Sequence, residues 1–207
     1  MLRGDVLRTE VLLELERGIT VITREACLVM PNGERVKFHR AGISTGHAVS
    51  ILPYFRDTES GEWMVIMVSQ FRPHVNEVCL EAPGSLVQVV LSPEEQMVRA
   101  VKEETNLIIP QNCIKILGSQ YTANSFSDQK VWLGVVELES MFTVHIQQKL
   151  RGRTDPESEQ EITEVVMYPL RYLLDHRAHI VANALTSLQL MDLALHLRLL
   201  VFVGGAH

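Results

Sequence analysis

The sequence has little of what marks several common protein classes. Cys27, Cys79 and Cys113 are its three cysteines, far apart and outside any CxxC pair, which argues against a disulfide framework or a thiolate zinc site and favours a reducing compartment. There is no basic excess: the formal charge is −6, so no electrostatic footprint for DNA is expected. No apolar run approaches the roughly 18 residues of a membrane span, Leu199–Ala206 coming nearest. The N-terminus carries Asp5 and Glu10 among basic residues and lacks a continuous apolar core, unlike a secretory signal. No Gly-rich phosphate loop, nucleophile elbow or HxxxH pair is present, and neither is a repeat or a low-complexity tract. An intracellular, cytoplasmic protein is expected, with an organellar address as the alternative.

What remains is the composition of an ordinary globular chain. Of 207 residues, 46% are hydrophobic and 21% charged, enough to core one domain preceded by a small extension. From Val6 to Val49 the chain alternates β-type runs with turn signals. Pro31-Asn32-Gly33 reads as the tip of a hairpin between ITREACLVM and ERVKFHRAGI. Core strands are expected in HAVSILPYF, WMVIMVSQF, CIKILGSQY and KVWLGVVEL, and a last strand in ITEVVMYPL after a polar loop over residues 147–160. A C-terminal helix follows, with Leu188, Met191, Leu195, Leu199 and Phe202 on one face and Leu190, Leu193 and Leu197 on the other, so both faces are expected to be covered.

The best-marked element is a helix over Pro93–Thr105. Ser92 can cap it, Pro93 suits the first position, Glu95 completes a capping box, and Asn106 suits the left-handed end with Pro110 shortly beyond.

That helix carries the chemistry. Glu81-Ala82-Pro83-Gly84-Ser85 followed by RAVKEETNL at 99–107 resembles the Nudix box, G-x5-E-x7-R-E-U-x-E-E-x-G-U with U apolar, in register and without a gap. Arg99, Val101, Glu103, Glu104 and Leu107 match it. Ser85, Leu91, Ala100 and Asn106 stand where the family has Gly, Glu, Glu and Gly. SQFRP at 69–73, the LEAPG stretch and ITEVVMYPLRYLL resemble the ADP-ribose and ADP-sugar pyrophosphatase branch over nearly the whole chain. The resemblance implies an α/β/α sandwich with a mixed central sheet over 49–207. It also implies that the N-terminal strand unit, 1–48, is exchanged between the subunits of a homodimer.

It further implies a hydrolase of nucleoside diphosphate derivatives such as ADP-ribose, using Mg2+ or Mn2+ to polarise phosphoryl oxygens and activate water. Glu103, Glu104 and the Gly84 carbonyl correspond to metal ligands, and Glu161 to a late-loop base or extra ligand, with Glu157 and Glu159 as neighbours. Arg72, Arg24, Glu25 and Glu81 fall in substrate-contacting segments. Positions 100, 103 and 104 share an arc of about 100° on a helix, and its centre is here the methyl of Ala100. With Glu103 spaced to pair with Arg99, Glu104 is the dependable ligand left, and cation affinity is expected to be low. Simple structural roles compete at each of these positions: a turn for Gly84, a surface arginine for Arg72, a cross-strand charge pair for Arg24-Glu25, a solvated loop for Glu161 and core packing for Trp63 and Trp132. Two functions follow, a weakened hydrolase or a Nudix-fold subunit that holds a nucleotide, RNA end or protein partner without turnover.

Overall fold

The computed structural model describes residues 3–15, 19–88, 90–139, 163–181 and 183–199. The chain forms two compact units, 1–48 with 120–131, and 49–119 with 132–207. The first unit thus takes in a segment from the middle of the chain besides the N-terminal strands.

In the first unit β1 (Arg3–Glu14), β2 (Thr20–Val29) and β3 (Arg35–Ser44) form a three-stranded sheet in that order, both pairings antiparallel. The β2–β3 hairpin turns where the sequence predicts. Val29 pairs with Arg35, Gly33 takes φ 85°, and its N–H donates to the Met30 carbonyl at 2.9 Å. The segment 122–129 joins this sheet through backbone, the Ile43 N–H donating to the Phe126 carbonyl at 2.7 Å. Gly42 is fixed by that approach, since a Cβ there would meet the Phe126 oxygen at 2.7 Å.

The second unit is a seven-stranded sheet with helices packed against it. The strands are β4 (Ala48–Arg56), β5 (Trp63–Arg72), β6 (Glu77–Glu81), β7 (Gly84–Leu86), β8 (Ile114–Tyr121), β9 (Lys130–Glu137) and β10 (Thr163–Pro169). The main path runs β10-β5-β4-β9-β8, with β6 paired to β5 and β7 to β4. Strand alternation sorts the core into two layers. Val49, Ile51 and Phe55 of β4, Ile66 of β5 and Val136 of β9 pack in one cluster with Met97, Ala100 and Val101 of α1 (Pro93–Thr105). Leu52 and Tyr54, Val65 and Met67, and Val135 of the same strands pack in the other, with Leu170 and Leu173 of α2 (Leu170–Ile180) and Leu190 and Leu193 of α3 (Ala184–His196). This is the expected α/β/α arrangement.

Helix α1 has the predicted bounds for the predicted reasons. The Ser92 side chain accepts from the Glu95 N–H, the Glu95 carboxylate accepts from the Ser92 N–H, and Asn106 closes the helix at φ 59°. The C-terminal helices differ from the sequence pattern in one respect. Helix α2 follows directly on Pro169, where the sequence pattern announces only the end of a strand. Within the single chain helix α3 buries one of its apolar faces: Leu190 and Leu193 are fully buried, while Met191 and Leu195 of the other face are exposed and would need a subunit interface to cover them. It ends at His196, so Leu199 lies beyond it, and Phe202 is outside the described residues. All three cysteines are free, and Trp63 and Trp132 pack against the core clusters. No helix among the described residues is long and apolar enough to cross a membrane.

Candidate functional site

The Glu81–Gln88 segment reaches α1 through a turn tied down from three sides. The Ile51 N–H of β4 donates to the Pro83 carbonyl at 2.8 Å. Thr186, buried on α3, accepts the Ala82 N–H at 3.1 Å, and Glu104 on α1 accepts the Gly84 N–H at 3.2 Å. Gly84 is required here by close approach rather than by turn conformation: a Cβ would come within 2.5 Å of the Val49 carbonyl oxygen. The turn reading of Gly84 is thereby replaced.

The helix presents the expected residues differently from the helical-wheel picture. Ala100 is fully buried in the core cluster rather than at the centre of an open arc. Glu103 is half-exposed and bonded by Arg99 Nε at 2.5 Å, the i, i+4 pair anticipated from spacing. Glu104 is partly buried at the Gly84 amide. Gln96, one turn before Ala100, is a residue that sequence reasoning misses, because it carries no carboxylate. Its Nε2 donates to Ser85 Oγ at 2.7 Å and its Oε1 accepts from the Gln88 N–H at 3.3 Å. The signal available was Ser85 itself, a hydroxyl where the family pattern has glycine.

Arg72 and Glu81 are brought together. The guanidinium is bidentate, Nε to Oε1 at 3.0 Å and a terminal nitrogen to Oε2 at 2.7 Å, on adjacent strands β5 and β6. Glu81 is nearly buried and Arg72 is partly exposed, and the carboxylate fixes the orientation of the fork. Arg24 and Glu25, in the first unit, do not pair with each other. Arg24 meets Asp128 at 2.7 Å and Glu25 meets Lys37 at 3.2 Å, the latter across β2–β3. Asp128 comes from the segment that joins β8 to β9. Glu161, Glu157 and Glu159 lie outside the described residues.

A cluster of Mg2+ or Mn2+ ions, as the Nudix resemblance implies, needs several hard oxygens converging. Among the described residues no group of three His, Cys, Asp or Glu side chains is placed to hold an ion. Position 100 offers no oxygen, Glu103 is engaged by Arg99 and Glu104 by a backbone amide. The described residues therefore do not fit a multi-ion cluster.

No family model matches the chain. A mouse (Mus musculus) protein named ADP-sugar pyrophosphatase is 38% identical over 72 residues, a match covering 35% of this chain and 33% of that protein. The chain thus spans about a third of the curated relative it matches. In structure, it is similar to the crystal structure of an ADP compounds hydrolase, with a TM-score of 0.65 and 19% identity over 95% of each chain. Over 72 residues the chain is thus similar in sequence to an ADP-sugar pyrophosphatase, and its fold is that of an ADP compounds hydrolase.

Proposed function

We propose that the chain acts on a nucleoside diphosphate derivative of the ADP-ribose or ADP-sugar type as a weakened Nudix hydrolase. The observation that carries this reading is the match to ADP-sugar pyrophosphatase, supported by a fold that lays the Gly84 segment against the helix bearing Glu103 and Glu104. In this reading Glu103, Glu104, the Gly84 carbonyl and Glu161 are the groups assigned to cation and water. Arg72, oriented by Glu81, is assigned to a phosphate, and Arg24 and Glu25 to the nucleotide. The assigned cation is Mg2+ or Mn2+, held weakly because Ala100 contributes no ligand and Glu103 is shared with Arg99.

A second reading is a Nudix-fold subunit that binds the same class of ligand, an RNA end or a protein partner without turnover. The same engaged carboxylates favour it. A homodimer built on the N-terminal sheet belongs to both readings. Its support is β1, where Val6, Val11, Leu12 and Leu13 are all more than half exposed.

The test is AMP release from ADP-ribose and ADP-sugars in magnesium or manganese, beside melting curves with the same nucleotides. Turnover that disappears with EDTA sustains the hydrolase. Inert protein whose melting temperature rises with nucleotide supports binding alone, and a protein that neither cleaves nor binds these compounds removes both nucleotide readings.

A further inference from the structure

Gln96, Ala100 and Glu104 are spaced i, i+4, i+8 and so form one row along α1. The two ends of that row bond to β7 and the residues just after it. Gln96 reaches Ser85 Oγ at 2.7 Å and receives the Gln88 N–H at 3.3 Å, while Glu104 receives the Gly84 N–H at 3.2 Å. Between them the Ala100 methyl is fully buried and allows the helix to lie close. Gln96 is itself only 2% exposed, with both ends of its amide bonded.

The chemistry of this row differs from that of a cation site in a definite way. Several carboxylates gathered in one place repel each other until a cation neutralises them. Here the row holds one carboxylate, and a backbone amide faces it. The other two members are a neutral carboxamide and a methyl. Ser85 and Ala100, read separately as losses from the box, are then parts of one linked arrangement with Gln96: a hydroxyl to bond, and space for the approach.

We propose that this side-chain clasp, and not bound divalent cations, holds the Gly84–Gln88 segment on α1, so that the candidate site keeps its shape in the absence of metal. Gln96 and Ser85 are its positioning residues. The inference goes beyond the proposed function.

Residue-resolved amide exchange on the full chain tests it, first in EDTA and then with MgCl2 or MnCl2 in excess. The Gly84 and Gln88 amides should exchange at the same rates in all three. Gln96→Ala should speed exchange at Gln88 by about tenfold or more as the local opening becomes easier. Ser85→Ala should lower Tm by about 2–4 °C, as expected for one lost hydrogen bond in a chain of this size, and Gln96→Ala, which loses two, should lower it further. Ser85→Thr, which keeps the hydroxyl, should retain the native value. Slowing of the Gly84 or Gln88 amides on adding either cation to the native protein would overturn the proposal. So would unchanged Gln88 exchange in Gln96→Ala. The native comparison needs no variant to fold.

Discussion

At the scale of single residues, Ala100 decides how a carboxylate placed at position 100 should behave. Ala100→Glu, which matches the pattern that the box-like segment resembles, inserts a charged, longer side chain at a fully buried position in the core cluster. Overpacking and desolvation together should cost at least about 2 kcal/mol, read as a lower urea midpoint. A carboxyl buried this way has its folded pKa raised, so it binds a proton more readily in the folded state and the deficit relative to the native protein should shrink as pH is lowered. A variant as stable as the native chain at neutral pH would show that position 100 has an open path to solvent. Gly84 gives a second prediction at this scale. Gly84→Ala puts a Cβ 2.5 Å from the Val49 carbonyl, a backbone atom that cannot swing aside, and should destabilise by about 1–3 kcal/mol in the same assay. Little of this was legible in the sequence. A helical wheel gives the direction of position 100 relative to 103 and 104, but not what lies opposite it. The close approach at Gly84 involves β4, some thirty-five positions earlier in the chain.

At the scale of elements, legibility followed the locality of the physics. Helix α1 was readable to the residue because its ends are set by Ser92, Pro93, Glu95 and Asn106 acting on their own backbone. Helix α2 was not, since LRYLL continues from the apolar strand β10 with no polar break and no capping residue between them. The short strands β6 and β7 exist through pairing with β5 and β4, which no local pattern announces. On α3 both faces are leucine-rich. The buried one is distinguished by Thr186 and Gln189, whose partners, the Ala82 amide, Ser50 and the Gly134 carbonyl, lie far away in sequence. The cap of α1 can be tested directly. Ser92→Ala removes the side-chain half of the capping box, leaves the Glu95 carboxylate its bond from the backbone N–H of residue 92, and should cost about 1 kcal/mol at neutral pH. Bonds from the Ser92 backbone and then its side chain hold the Glu95 carboxyl below the usual range. A depressed folded pKa contributes stability above the unfolded value and loses it as pH falls through the folded one. The gap between native and variant should therefore narrow in acid. A gap that is constant with pH would mean that the Ser92 side chain takes no part in holding the Glu95 carboxyl down.

At the scale of the whole molecule, the N-terminal sheet presents more apolar surface than a chain working alone usually leaves in water. Strand β1 is exposed along its full length, yet it carries Val6, Leu7, Val11, Leu12 and Leu13, and β3 adds Val36, Phe38 and Ile43. Singly, such residues are unremarked on any surface, but this many on one small sheet is the pattern of an interaction surface. Strand β1 is also an edge of that sheet, with backbone groups on one side available for pairing. The homodimer proposed above satisfies both, because a second copy supplies matching apolar surface and matching strand edges under a two-fold axis. Light scattering at micromolar concentration should give twice the chain mass of 23.4 kDa. The double variant Val11→Asp and Leu13→Asp introduces charge into the face and should return the chain to monomer mass. Since the core clusters of the second unit contain no β1 residue, its melting should survive the change. A native protein that scatters as a monomer would assign the exposed β1 face to a different partner, and the double variant would then leave the mass unaltered.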